Sequence, residues 1–254
     1  MPVILVTNDD GVSSAGIHAL ATALKPLGSV TVVAPTQEAS AIGHALTLRR
    51  PLRIEDHGPG LFAVDGTPTD CVNLGVDIIL KQKPDLVVSG INNGANMGED
   101  TIYSGTVAAA MEGYLFGIPA IAFSLAEKGW AHLDSAGRVA RDVIQRVLAK
   151  PPGTSPFLLN VNIPNKPYDA SQPKRLCRLG RRHASEGVIR QANPRGEPIY
   201  WIGPAGNARE AGEGTDFHAV ARGEVSITPL QFDLTDHARI AVWQEWLGPA
   251  GGQE

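Results

Sequence analysis

Apolar residues in this chain fall into short continuous runs separated by stretches of helical period, and that alternation predicts the architecture. Val3-Ile4-Leu5-Val6 is an unbroken apolar run, so Pro2 to Thr7 is expected as a strand buried on both faces. Gly16 to Leu27 then sets Ile17, Leu20, Ala21, Leu24 and Leu27 along one side of a helix. Further runs predict strands at Ser29 to Ala34, Asp85 to Ser89, Ile118 to Phe123 and Phe157 to Ile163. Thr67-Pro68-Thr69-Asp70 reads as a helix start, with Thr67 as cap, Pro68 at the first helical position and an acid three residues after the cap. That helix should reach about Leu80, and helical patterns recur at Gly105 to Phe116 and His132 to Lys150. Gly90 to Ser104 is expected as a long loop. Strands alternating with helices imply an α/β fold, a Rossmann-like three-layer parallel sheet.

The pattern breaks near Pro164. Asn165 to Gly214 is rich in Pro, Arg and Gly, with short β-like pieces at Arg175 to Leu179 and Ile199 to Ile202. Val225 to Leu230 is a clear strand, Thr235 to Leu247 a helix bearing Trp243 and Trp246, and Gly248 to Glu254 a frayed end. The chain therefore divides into a core, 1–164, and a β-rich C-terminal extension with a terminal helix, 165–254. The extension is too irregular to form its own core, so it completes the same domain by packing on the core, on a partner subunit or on both.

Composition narrows the function classes. The 254 residues are 43% hydrophobic and 19% charged with a net charge of −4, which offers no footprint for stable nucleic acid binding. No apolar run approaches the roughly 20 residues of a membrane span and no basic leader precedes the first strand, so a cytoplasmic protein is expected. Cys71 and Cys177 have no metal-type spacing and are expected as small buried hydrophobes.

Candidate chemistry gathers after the strands, where open α/β sheets bind ligands. Asn8-Asp9-Asp10-Gly11 follows the first strand, Ser40 lies in the loop after the second, and Ser89 to Gly98 carries Asn92, Asn93 and Asn96. Carboxylate, amide and hydroxyl oxygens together suit Mg²⁺ or Mn²⁺ and offer little to zinc. A turn whose Asn and Asp side chains cap their own backbone would account for the first of these motifs equally well. Tyr103-Ser104-Gly105-Thr106-Val107 opens a helix with free N–H groups and two hydroxyls, an anion site by dipole and donor geometry, although Ser104 is also an ordinary N-cap residue. A cation beside an anion cradle is an arrangement for phosphoryl chemistry.

These residues carry a resemblance. Asn8 to Gly11, Ala34-Pro35 with Ser40 and Thr47, Gly66 to Val72, Ser89 to Gly98, Tyr103 to Val107, Asn160 to Pro164, Thr215-Asp216 and Ser226 to Leu230 together resemble the survival protein SurE family, in order over nearly the whole chain. The resemblance implies a divalent-metal 5′/3′-nucleotidase acting on nucleoside monophosphates by metal-assisted water attack, with exopolyphosphatase activity in some members. It implies one Mg²⁺ or Mn²⁺ per subunit on Asp9, Asp10, Ser40 and Asn96, with Asp9, Asp10 and Asn96 the catalytic set. It also implies a phosphate site at Asn92, Ser104, Gly105 and Thr106, and a homodimer or homotetramer joined by the C-terminal arm. One departure is visible: many members have Gly after the ligand serine, where this chain has Ala41 and regains Gly at Gly43.

Other residues stay open at this level. His44 is near enough in sequence to Ser40 to serve as a general acid, though a structural histidine is the commoner case. His18 reads as surface or packing, and His183 and His218 are undecided. Arg181-Arg182 is a solvated basic pair or an anion guide, Asp70 a helix-start acid, and Asp216 cannot be placed near the metal from sequence. An aspartyl-phosphate route uses two acids separated by one residue, whereas Asp9 and Asp10 are adjacent. A non-catalytic nucleotide-binding module is the alternative of a different class, but no Gly-x-Gly-x-x-Gly follows the first strand.

Overall fold

The computed structural model describes residues 1–153, 156–182, 187–203 and 206–248. In chain order the strands are β1 (Val3–Thr7), β2 (Ser29–Pro35), β3 (Ile54–Asp56), β4 (Leu61–Val64), β5 (Leu86–Asn93), β6 (Ala120–Leu125), β7 (Leu158–Ile163), β8 (Lys174–Leu176), β9 (Arg181–Arg182), β10 (Ile189–Ala192), β11 (Pro198–Trp201), β12 (Ala208–Glu210) and β13 (Val225–Leu230). The helices are α1 (Ala15–Leu24), α2 (Pro68–Leu74), α3 (Asp100–Tyr103), α4 (Gly105–Leu115), α5 (Leu133–Ala149), α6 (Asp216–Ala221) and α7 (Ile240–Leu247).

Nine strands form one sheet in the order β3-β4-β2-β1-β5-β6-β7-β13-β8. From β4 to β7 all neighbours are parallel; β3 and β13 run antiparallel to β4 and β7, and β8 runs parallel to β13. Parallel strands are buried on both faces, which is why β1, β5 and β6 are near-continuous apolar runs. Ile4, Val6, Val88 and Phe123 face α1 and α5, while Leu5, Val33, Val87 and Ala120 face α2 and α4. The three layers expected from the alternating pattern are thus present, and Cys71 and Cys177 are both free and buried. Among the described residues no helix is long and apolar enough to cross a membrane.

Five expectations shift or gain detail. Residues 44–66 hold two strands, β3 and β4, that the apolar pattern did not disclose: Ile54–Asp56 is fully exposed and has no apolar period to read. The expected loop Gly90 to Ser104 is shorter, because β5 continues to Asn93 and α3 adds one turn before Ser104. The helix begun at Thr67 reaches Leu80 as expected, but its second half, Gly75–Leu80, is π-helical. Thr215-Asp216 begins a further short helix, α6. The terminal helix has a 3₁₀ turn at His237–Arg239 before α7, and of the expected frayed end, 249–254 lies outside the described residues.

The topology also fixes where a ligand can sit. After β1 the chain moves outward to β2 and β4, then returns to pair β5 on the other side of β1. The loops after β1 and β5 therefore diverge and leave a crevice at the strand carboxyl ends.

Candidate active site

The crevice at that switch point holds the predicted residues. A cavity of about 390 Å³ is lined by Asp9, Asp10, Ser40, Asn92, Asn96 and Ser104, with Glu38, Asp100, Tyr103 and Lys128 among its further walls. Gly105 and Thr106 lie directly behind it. A larger hollow of about 890 Å³, between the α4 C-terminus and residues 231–237, gathers none of the candidate ligands.

Each acid is held from a different element. Asn8 is buried and donates from Nδ2 to the Gly11 carbonyl and to Ser14 Oγ, so the β1 loop is clamped onto the start of α1. Asp9 is buried against the N-terminus of α4, where Thr106 Oγ1 donates to its Oδ1. That approach requires Gly105, because a Cβ there would lie 2.8 Å from Asp9 Cβ. Asp10 accepts a 3.3 Å hydrogen bond from the Asn93 N–H at the end of β5.

Burial raises the Asp9 pKa, opposed chiefly by the Thr106 hydroxyl bond and the backbone N–H groups of Asp9 and Thr106. Asp10 is pushed up to about 6, first by burial and then by the Asp9 charge, with the Asn93 N–H opposing. Glu38 raises both further. Two adjacent carboxyls whose ionisation their surroundings disfavour are the electrostatic setting that a cation relieves.

Asn96 is the most firmly anchored member. Its N–H donates to Asn162 Oδ1 at 2.9 Å, its carbonyl accepts from Asn160 Nδ2 and Asn162 Nδ2, and its own Nδ2 donates to Ser124 Oγ at 2.8 Å. Ser124 lies on β6 and Asn160 and Asn162 on β7, and all three are fully buried. Asn92 donates to the Gly94 carbonyl at 2.8 Å, and Ser40 donates to Glu38 Oε1 at 2.7 Å on the exposed side. Ala41, at the position where glycine is usual, has φ of 56°, the left-handed region that an L side chain adopts at a cost.

Ser104 is the N-cap of α4, its Oγ accepting from the Val107 N–H at 3.1 Å. The hydroxyl of Thr106, expected to hold phosphate, is buried and engaged with Asp9, so Thr106 supports a carboxylate rather than offering a hydroxyl to the cavity. His44 is outside the cavity wall: its Nε2 lies 2.7 Å from Glu112 Oε2, and its ring meets Phe232 edge-on. Glu112 also accepts from Asn73, so His44 pins the Ser40 loop to α2 and α4. His18 is exposed, and His183 lies outside the described residues.

Three contributors are tied to the site by the fold rather than by their position in the sequence. Asp216 is fully buried and accepts from the Gly98 and Gly180 N–H groups at 2.9 and 2.8 Å, joining the β5 loop to the extension without touching the cavity. Arg182 donates from Nε to Asp100 Oδ2 at 2.7 Å and covers the Phe217 ring, bracing the wall at α3. Lys128 arrives from the loop after β6. Thr215-Asp216 and Arg181-Arg182 stood out in the sequence, but only tertiary folding brings Asp216 to Gly98 and Arg182 to Asp100.

Comparison with known proteins bears on the family and the fold. The family model described as survival protein SurE matches residues 4–186. The crystal structure of the SurE protein from Aquifex aeolicus superposes with a TM-score of 0.85 at 45% sequence identity, covering 97% of this chain and 99% of that one.

Proposed function

The chain belongs to the survival protein SurE family, whose members are phosphatases and nucleotidases and generally depend on a metal, and from that premise we propose that it is a divalent-metal-dependent 5′/3′-nucleotidase. It hydrolyses nucleoside monophosphates to nucleoside and phosphate, with inorganic polyphosphate as a second substrate class. One observation supports this above the others: a buried carboxyl, Asp9, and its half-buried neighbour Asp10, both with raised pKa values, share a single cavity with the N-terminus of α4.

The donor set fits the cation. Asp9 and Asp10 supply charge, and Asn96 and Ser40 supply neutral oxygens, the all-oxygen set that a hard divalent cation takes. Bound there, the ion supplies charge screening for the phosphate and a lowered pKa for a water molecule. The chain's own residues do the rest. Thr106 fixes the Asp9 carboxylate, the Asn93 N–H fixes Asp10, and the amides of Asn160 and Asn162 hold Asn96 in place. Asn92, Ser104 and the N–H of Gly105 receive the phosphate oxygens, where the helix dipole favours negative charge, while Thr106 serves the cradle by holding Asp9.

The enzyme works as a homodimer or tetramer assembled through 165–254. Supporting this, no residue of α7 is buried within its own chain, and Trp243 and Trp246 are 55% and 74% exposed.

A phosphate-release panel over 5′- and 3′-nucleoside monophosphates and polyphosphate tests the activity. Release is expected with Mg²⁺ or Mn²⁺, to vanish in excess chelator and to return on readdition. Asp9→Asn and Asp10→Asn should each remove most activity while the protein stays folded. Full turnover with verified absence of metal would overturn the proposal.

A further inference from the structure

The acidic cavity presents a difficulty for an anionic substrate. Its wall carries four carboxyls, Asp9, Asp10, Glu38 and Asp100, and among the described residues a single cationic side chain, Lys128. Asp100 is paired with Arg182, which leaves Glu38 and the two ligand acids facing whatever enters. A divalent ion offsets the ligand acids and no more, so an incoming phosphate dianion still meets net negative potential.

Lys128 is placed to answer that. The loop bearing it is tethered at both ends: the Ala126 N–H donates to the Ile163 carbonyl at 2.8 Å, the Gly129 N–H donates to Asn93 Oδ1 at 2.8 Å, and the His132 N–H donates to Asn165 Oδ1 at 3.1 Å. The Asn93 contact matters most, because the Asn93 N–H also holds Asp10. The Lys128 stem then lies along Gly94, with Cγ and Cε 3.7 and 3.8 Å from where a Gly94 Cβ would project. Gly94 has φ of 135°, so the backbone there is open to glycine and leaves the stem its path. The side chain is exposed, and among the described residues its ammonium makes no salt bridge. An exposed ammonium at the rim of a charged cavity, near enough for its charge to favour the ionised Asp10, is a cation available to an anion.

We propose that Lys128 is a substrate-contacting residue that binds a non-bridging oxygen of the substrate's phosphoryl group, complementing the α4 N-terminus from the β6 side of the cavity. It acts as a point charge that both draws the dianion into an acidic cavity and holds it there. Because its stem is flexible, the contact tolerates phosphoryl groups on different leaving groups. This inference rests on the nucleotidase function proposed above.

The test compares the whole protein with Lys128→Met, which keeps the stem and removes the charge, and Lys128→Arg, which restores charge. Three quantities are measured: the kinetics of phosphate release from a 5′-nucleoside monophosphate, calorimetric binding of inorganic phosphate in Mg²⁺, and Mn²⁺ affinity. Lys128→Met should raise KM and weaken inorganic phosphate binding, each roughly tenfold. Mn²⁺ affinity should stay within about twofold, and kcat/KM should lose much of its salt sensitivity. Lys128→Arg should recover most of both losses. If Lys128→Met leaves KM and phosphate affinity unchanged, or if Lys128→Arg is as impaired as Lys128→Met, the assignment is overturned. A wild-type protein that releases no phosphate sinks the nucleotidase function, whereas an active wild type matched by Lys128→Met sinks this assignment alone.

Discussion

Asp10 titrates where it can be watched. Its folded pKa of about 6 stands above the ordinary 3.8, so the folded state binds its proton more tightly than the unfolded state does. Its contribution to stability is therefore present at low pH and lost as pH rises from about 4 to about 6. The metal-free protein should lose thermal stability across that window, and Mg²⁺ should restore it at pH 7 and above. Asp10→Asn should raise the metal-free melting temperature at neutral pH while abolishing the Mg²⁺ response, with each kcal/mol worth about 2–4 °C in a chain of this size. A metal-free melting temperature that is flat over that window, in the wild type and in Asp10→Asn alike, would contradict the assignment. Thr106→Val separates two roles of one hydroxyl. Its loss should weaken Mn²⁺ binding roughly 5- to 30-fold, about 1–2 kcal/mol, because Asp9 loses its charged hydrogen bond. Unchanged metal affinity with weakened phosphate binding would instead return the hydroxyl to the substrate.

At the scale of elements, α2 does more than bury Cys71 and Val72. Its capping box is complete: Thr67 Oγ1 accepts from the Asp70 N–H, Asp70 Oδ2 accepts from the Thr67 N–H, and Asp70 Oδ1 reaches out to the Thr47 N–H. Thr67 Oγ1 also donates to the Ala45 carbonyl. Thr67→Ala should thus cost about 1–2 kcal/mol by chemical denaturation and loosen the 40–47 loop, read as faster amide exchange there. Exchange unchanged from wild type would confine the cap to α2. This helix start, the β1 run and the two acids after it were legible from sequence, since each is a local pattern with a local cause. The strand at Ile54–Asp56 was not, because an exposed sheet edge needs little apolar period, and Leu61–Val64 is an apolar run of only four residues, too short to fix its state without the β2 and β3 that it pairs. The partners of Asn96 were illegible for another reason: Asn160 and Asn162 stood in a visible motif, but which loop they hold is decided only when β7 lies beside β6. Thr106 misled because a helix-start hydroxyl reads the same whether it faces a ligand or a buried carboxylate.

For the whole molecule, the extension splits into two kinds of chain. Phe217, Ala219 and Val225 are buried in the core, while the β10–β11 hairpin and α7 leave Ile202 82% and Leu247 72% exposed. Truncation after Leu230 should therefore leave a folded unit that is monomeric or aggregates in light scattering, with activity reduced although every candidate ligand remains. A fully active monomer from that truncation would show that the arm has no part in assembly or function. The portion before Leu230 has a different consequence, one of timing. A chain emerges from the ribosome N-terminus first, so Asp9, Asp10 and Asn96 are all synthesised long before Asp216 and β13. Yet Asp216 holds the Gly98 N–H, and β13 pairs β7 through Asn162, the residue that grips Asn96. A nascent chain that carries every candidate ligand still lacks the two braces that set the β5 loop, so the proposed activity has to wait until β13 has emerged and paired with β7.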